Sequence, residues 1–142
     1  MKIAVAFALI VTLAGCAKSS QKAAATASAA AANNPASASD GGAIYLANCS
    51  SCHQSDGAGI PGAFPPLAKN PTVTGNPVAV IAIVKDGLEG RLVVNGQAYS
   101  GIMPAWKNLL TDEQIADVIS YIRTSWKNTA APVSVSDVSS LK

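Results

Sequence analysis

The only histidine of the 142-residue chain, His53, ends the run Cys49-Ser50-Ser51-Cys52-His53. Two thiols three positions apart, followed at once by an imidazole, form the C-x-x-C-H pattern through which c-type haem is attached. The chemistry explains the spacing. The thiols add to the two vinyl groups of the porphyrin, and the adjacent imidazole then lies against the iron as its proximal ligand. Three other uses of these residues are weaker. A zinc site needs four ligands, and the folded region has no further Cys or His, so a carboxylate would have to complete it. A thioredoxin-like pair needs a βαβ setting, which the sequence does not display. A disulfide across two intervening residues would be strained and of little use.

The second axial ligand follows by elimination. No other His exists, and Met1 belongs to the N-terminal leader. That leaves Met103, in the loop Ser100-Gly101-Ile102-Met103-Pro104-Ala105-Trp106. A lone Met is commonly core filler, but a loop bounded by Gly101 and Pro104 suits ligand presentation better. A thioether favours ferrous iron and so raises the reduction potential. With both axial positions filled, no open position remains for substrate, which points to electron transfer and not to an enzyme. A peroxidase or small-gas-binding haem protein is the alternative if Met103 is labile, although no second His or distal acid–base residue is present. A small subunit with a silent haem is a third reading.

The leader carries its own signal. Lys2 is a short positive region, and Ile3 to Leu13 is a mostly apolar run of eleven residues. That length fits a signal peptide and falls short of a bilayer span. Leu13-Ala14-Gly15-Cys16 follows and resembles the lipobox of bacterial lipoproteins. It implies cleavage before Cys16, a diacylglyceride on its sulfur and acylation of the new N-terminus, which together anchor stably. An ordinary signal peptide with an incidental Cys is the competing view. The expected location is the periplasmic side of a bacterial membrane, and Ala17 after the cysteine favours the outer one.

Residues 17–40 contain 11 Ala and 5 Ser in 24 positions and no Val, Ile, Leu, Met or aromatic residue. Such a segment cannot bury enough to offset its ordering entropy, so 16–40 is expected to be a flexible tether with a reach of roughly 25–30 Å. The haem domain is expected over 41–128, and the Ser/Val/Ala-rich residues 129–142 as a loosely ordered tail. Net charge is +2, which excludes a strongly basic nucleic-acid binder. Within the folded region six Lys/Arg (69, 85, 91, 107, 123, 127) face six Asp/Glu (56, 86, 89, 112, 113, 117), which argues against a strong single-sign docking surface.

Local signals predict the elements that must position these groups. Asp40 is an acceptable cap for a helix over Gly41–Cys49. Residues 54–71 are rich in Gly and Pro and read as loop. Asn76-Pro77 pairs a cap with Pro at the first helical position. Val78, Ile81, Ala82 and Lys85 follow at helical spacing in a stretch apolar nearly all round, ended by Gly87. Asn95-Gly96 between apolar residues predicts a hairpin over 92–99 that leads to Met103. Thr111 with Gln114 is a capping box, and Ile115, Val118, Ile119, Ile122 and Trp126 make the apolar stripe of a last helix.

From about Gly41 to Lys127 the chain resembles class I cytochromes c, in particular small bacterial monohaem members found as lipoproteins or as haem domains of quinohaemoprotein dehydrogenases and oxidases. The resemblance implies an all-α cytochrome c fold: three main helices around one covalently bound haem c, here with a short β-hairpin before the Met loop. It implies that Gly41 and Tyr45, eight and four residues before Cys49, pack against the last helix, where Tyr121 is placed to meet Tyr45. It maps the family's Pro-x-Leu element onto Pro65-Pro66-Leu67. The Pro65 carbonyl, with Pro66 as the second choice, would accept a hydrogen bond from His53 and so orient it, and Leu67 would line the pocket. Arg91, Tyr99 and Trp106 could reach a haem propionate, with simple loop packing as the alternative for each. The function implied is a membrane-tethered single-electron carrier. Its partners, a dehydrogenase, oxidase or reductase, would dock transiently at the haem edge through an interface below about 1,200 Å².

Overall fold

The computed structural model describes residues 38–142. The leader, Cys16 and most of the linker lie outside the described residues. Six helices and one hairpin follow in order: α1 (Ala38–Asn48), α2 (Ser50–His53), α3 (Pro71–Thr74), α4 (Pro77–Asp86), β1 (Leu92–Val94), β2 (Gln97–Tyr99), α5 (Asp112–Thr124) and α6 (Val135–Ser140).

Side-chain caps set most of the helix starts. Asn70 and Asn76 each precede a proline, and each side-chain oxygen accepts from the backbone N–H two residues on, at 2.9 Å and 3.0 Å. The proline loses nothing there, because the first helical N–H has no partner in any helix. Thr111 and Gln114 close a reciprocal capping box at the head of α5 (3.3 and 3.0 Å). Asp112 and Glu113 in its first turn complement the positive end of the helix dipole. α4 stops at Gly87, whose φ of 79° suits a residue without Cβ.

α1 and α5 cross almost backbone to backbone. A Cβ at Gly41 would stand 2.1 Å from the Asp117 carbonyl oxygen, so only glycine permits the approach. Beside the crossing, Tyr45, Tyr121 and Trp126 form a three-ring cluster with centroids 4.9–5.6 Å apart. The core continues through Ile115, Ala116, Val118, Ile119 and Ile122 of α5 to Val73 of α3 and Val80, Ile81 and Val84 of α4.

Four features differ from expectation. α1 begins at Ala38, so Asp40 lies within the helix and does not cap it; alanine is the strongest helix former and extends the helix backward. The buried face of α4 is Val80, Ile81 and Val84, with Val78 half exposed. The tail 129–142 is ordered, not loose. Ser134 and Asp137 cap α6 reciprocally, and Val133 and Val138 are buried at 2% and 0% exposure. Each buried Val contributes roughly 1.5 kcal/mol or more. Lys85 Nζ donates to the carbonyls of Val138 (2.9 Å) and Leu141, tying the end of the tail to α4. The short α3 was not expected either.

Candidate functional site

α1 runs through Tyr45, whose carbonyl accepts from Cys49 N at 2.8 Å, and the chain re-forms a single turn as α2. That turn carries Cys52 and His53. Both cysteines are half-buried and form no disulfide. Before attachment, burial, and after it the neighbouring Cys52, pushes the Cys49 thiol up to about 11. Among the described residues no three His, Cys, Asp or Glu side chains group as a metal site.

His53 is 8% exposed. Its Nδ1 lies 2.9 Å from the Pro65 carbonyl oxygen. A carbonyl only accepts, so Nδ1 carries the proton and donates. Burial holds the imidazole pKa below its ordinary value, against the opposing effect of the Pro65 bond. The neutral ring therefore leaves the Nε2 lone pair free for a metal. The alternative acceptor, the Pro66 carbonyl, is taken by Asn70 Nδ2 at 2.7 Å.

The loop that returns Pro65 to His53 is pinned along its length. Gly59 N donates to the His53 carbonyl (3.0 Å), and Leu67 N and Ala68 N both donate to Gly57 O (2.8 and 3.0 Å). Asn128, 4% exposed, donates to Leu67 O (3.0 Å) and Ile122 O (2.8 Å) and accepts from Lys69 N (2.8 Å). Arg123, equally buried, gathers the carbonyls of Val73 (2.6 Å), Gly75 (3.1 Å) and Ala131 (2.7 Å). Sequence reasoning missed Asn70, Arg123 and Asn128. The Asn-Pro pairing at 70–71 was the one available signal.

Met103 is presented from the other side. It forms an isolated antiparallel bridge with Leu88, the two backbone bonds measuring 2.9 and 3.0 Å. Gly87 lies so near that a Cβ there would be 2.6 Å from Met103 O. Beyond Met103 the chain covers the end of α4, as Trp106 N and Lys107 N donate to Val84 O and Lys85 O (3.0 and 3.2 Å). These are two of the carbonyls a helix end leaves unpaired. The hairpin ahead of it pairs Leu92 with Tyr99 and Val94 with Gln97. Its turn residues Asn95 and Gly96 both have positive φ (50° and 81°), as a type I′ turn requires.

These segments enclose one cavity. Cys49, Cys52, His53, Pro65, Leu67, Tyr99, Met103 and Trp106 all line it. Arg91 is exposed and is not brought to its wall. The remaining lining is mainly aliphatic, from Val73, Val80, Ile83, Val84, Val118 and Ile122 among others. The residues fit a haem. Two thiols, an imidazole with a free Nε2 and a thioether border a single apolar space, which is what a flat, largely hydrophobic macrocycle with one metal requires.

Comparisons with known proteins agree with this chemistry. The family model described as "Cytochrome c" matches residues 38–126. Cytochrome c-552 of Thermus thermophilus is 43% identical over 91 residues, 61% of this chain and 68% of that protein. The cytochrome c subunit of the quinone alcohol dehydrogenase of Gluconobacter oxydans is 42% identical over 105 residues, 72% of this chain. The cytochrome c subunit of gluconate 2-dehydrogenase from Pantoea cypripedii is 38% identical over 107 residues. The chain spans only about a quarter or less of these two subunits (22% and 24%). The C-x-x-C-H motif, the apolar cavity it borders and the family match over most of the folded region make this chain a class I c-type cytochrome, a member of the cytochrome c family that binds haem c covalently through Cys49 and Cys52.

Proposed function

We propose that the protein is a single-electron carrier, with His53 and Met103 as the axial ligands of its one haem. It would be held by lipid on Cys16 at the periplasmic side of a bacterial membrane and would serve redox partners such as a dehydrogenase. Bound haem supplies a one-electron couple between ferrous and ferric iron. The observation that carries the reading is the pairing of His53 with Met103 on the lining of one cavity, with His53 Nδ1 engaged by the Pro65 carbonyl. Pro65 thereby fixes the ring and raises its basicity as a ligand. The Leu88 bridge holds Met103 by its backbone, which opposes its departure. Neither feature provides an acid or base beside an open coordination position. Ile102 lines the cavity and is 70% exposed, which supports a partner docking over an apolar rim. The relatives that are cytochrome c subunits of dehydrogenases support a dehydrogenase as one such partner. The leader and lipobox-like run support the tether and the location.

Carbon monoxide tests the carrier reading. Ferrous protein at neutral pH is expected to bind the gas slowly and incompletely, because Met103 must leave first. Rapid, saturating binding at low gas pressure would replace the carrier with a gas-binding or peroxidase function.

A further inference from the structure

Gln54, the residue after His53, has φ 63° and ψ 157°. Side chains with a Cβ seldom adopt this conformation, which belongs almost entirely to glycine. Three hydrogen bonds hold it. Its N–H donates to Ser50 O at 2.9 Å, and its carbonyl accepts from Gly57 N at 3.1 Å. The third is the Tyr45 hydroxyl, which donates to the same carbonyl at 2.5 Å. Tyr45 is fully buried, wedged between Tyr121 and Trp126, so its hydroxyl has a fixed place. Burial raises its pKa far above the ordinary value, and it remains a protonated donor at any physiological pH.

The turn at Gln54 is where the chain leaves α2 and enters the loop that brings Pro65 back to His53. A ring alone would satisfy the packing between α1 and α5. The hydroxyl is needed only for the Gln54 carbonyl.

We propose that Tyr45 is a positioning residue for His53: its hydroxyl holds the left-handed turn at Gln54, and that turn seats the imidazole against the Pro65 carbonyl. The inference rests on His53 being an axial ligand. It predicts a specific dependence. Glycine at position 54 adopts the turn unaided, so the hydroxyl matters less in a Gln54→Gly background.

The test uses full-length holoprotein as wild type, Tyr45→Phe, Gln54→Gly and the double variant. NMR of the ferrous form reads solvent exchange of the His53 Nδ1 proton. Tyr45→Phe is expected to speed that exchange about five- to tenfold, the loss of one buried hydrogen bond. In the Gln54→Gly background the same change is expected to have under about a twofold effect, since sites that share a strained turn are not additive. An unchanged exchange rate in Tyr45→Phe, or an equal acceleration in both backgrounds, overturns the proposal. If Tyr45→Phe fails to mature with haem, maturation of the double variant supports it and failure of both overturns it. The wild-type spectrum separates the two levels. Without ring-current-shifted His53 ring signals the axial assignment itself is lost, whereas their presence beside an unresponsive Tyr45→Phe removes only the role given to Tyr45.

Discussion

Asn128 illustrates how the cavity depends on side chains that never touch it. Its amide satisfies two carbonyls and one N–H, joining the end of α5 to the loop that carries Pro65 and Leu67. Asn128→Ala leaves those groups unpaired in a buried place. It is expected to lower unfolding stability by about 2–4 kcal/mol in urea titrations, since each stranded polar group costs on the order of 1–3 kcal/mol and water recovers part of it. A change below about 0.5 kcal/mol, the range of an ordinary surface substitution, would show the clasp to be idle. The contrast with the haem-facing residues is one of chemistry. Cys49, Cys52, His53 and Met103 could be singled out in the sequence because the roles expected of them demand those residue types at those places, and the fold brings all four to one cavity. Asn70, Arg123 and Asn128 could not, because they bond main-chain carbonyls, and a carbonyl leaves no trace in the sequence.

At the scale of elements, caps and turn residues made α4, α5 and the hairpin readable, whereas the short α3 and α6 were not read although both carry side-chain caps. Asn76-Pro77 and Thr111 with Gln114 announced α4 and α5, and Asn95-Gly96 announced the hairpin. The face of α4 stayed ambiguous because the helix is apolar nearly all round, so periodicity could not separate Val78 from Val80. α6 was hidden by its composition. Four of its six residues are Ser or Asp, and only Val138 within it is buried. What orders it is tertiary: the Val133 and Val138 contacts and the Lys85 bonds to its last carbonyls. Its cap carries a pH dependence. Hydrogen bonds from the Ser134 backbone and side chain hold the Asp137 carboxyl below its ordinary pKa. A depressed carboxylate contributes stability that is present above the unfolded value of about 3.9 and fades as pH falls through the folded value. The exposed site makes the effect small. Hydrogen exchange of the α6 amides, corrected for intrinsic rates, is expected to be faster at pH 3 than at pH 5. Asp137→Asn is expected to abolish the difference. Equal protection at both pH values would contradict the role of the cap.

At the scale of the whole molecule, the fold brings two remote segments to one cavity, one from α2 and one from the strand-like stretch after the hairpin. Among the described residues the exposed charges balance. The exposed Lys69, Arg91, Lys107, Lys127 and Lys142 face the exposed Asp56, Asp86, Glu89, Glu113 and Asp137, while Lys85 and Arg123 are engaged by backbone carbonyls. Docking therefore lacks a strong electrostatic drive, and the electron-transfer rate with a physiological partner is expected to change less than about threefold between low and physiological salt. A steep fall would reveal a single-sign patch that the balance conceals. The central claim is the pair His53 and Met103, and the absorption spectrum tests it most directly. The oxidised holoprotein is expected to show the weak far-red band of thioether-bound ferric haem, and Met103→Ala is expected to lose it while the haem stays covalently attached. A wild-type spectrum without that band, or a Met103→Ala spectrum identical to wild type, would contradict the ligand assignment and with it the case for a closed, electron-carrying haem.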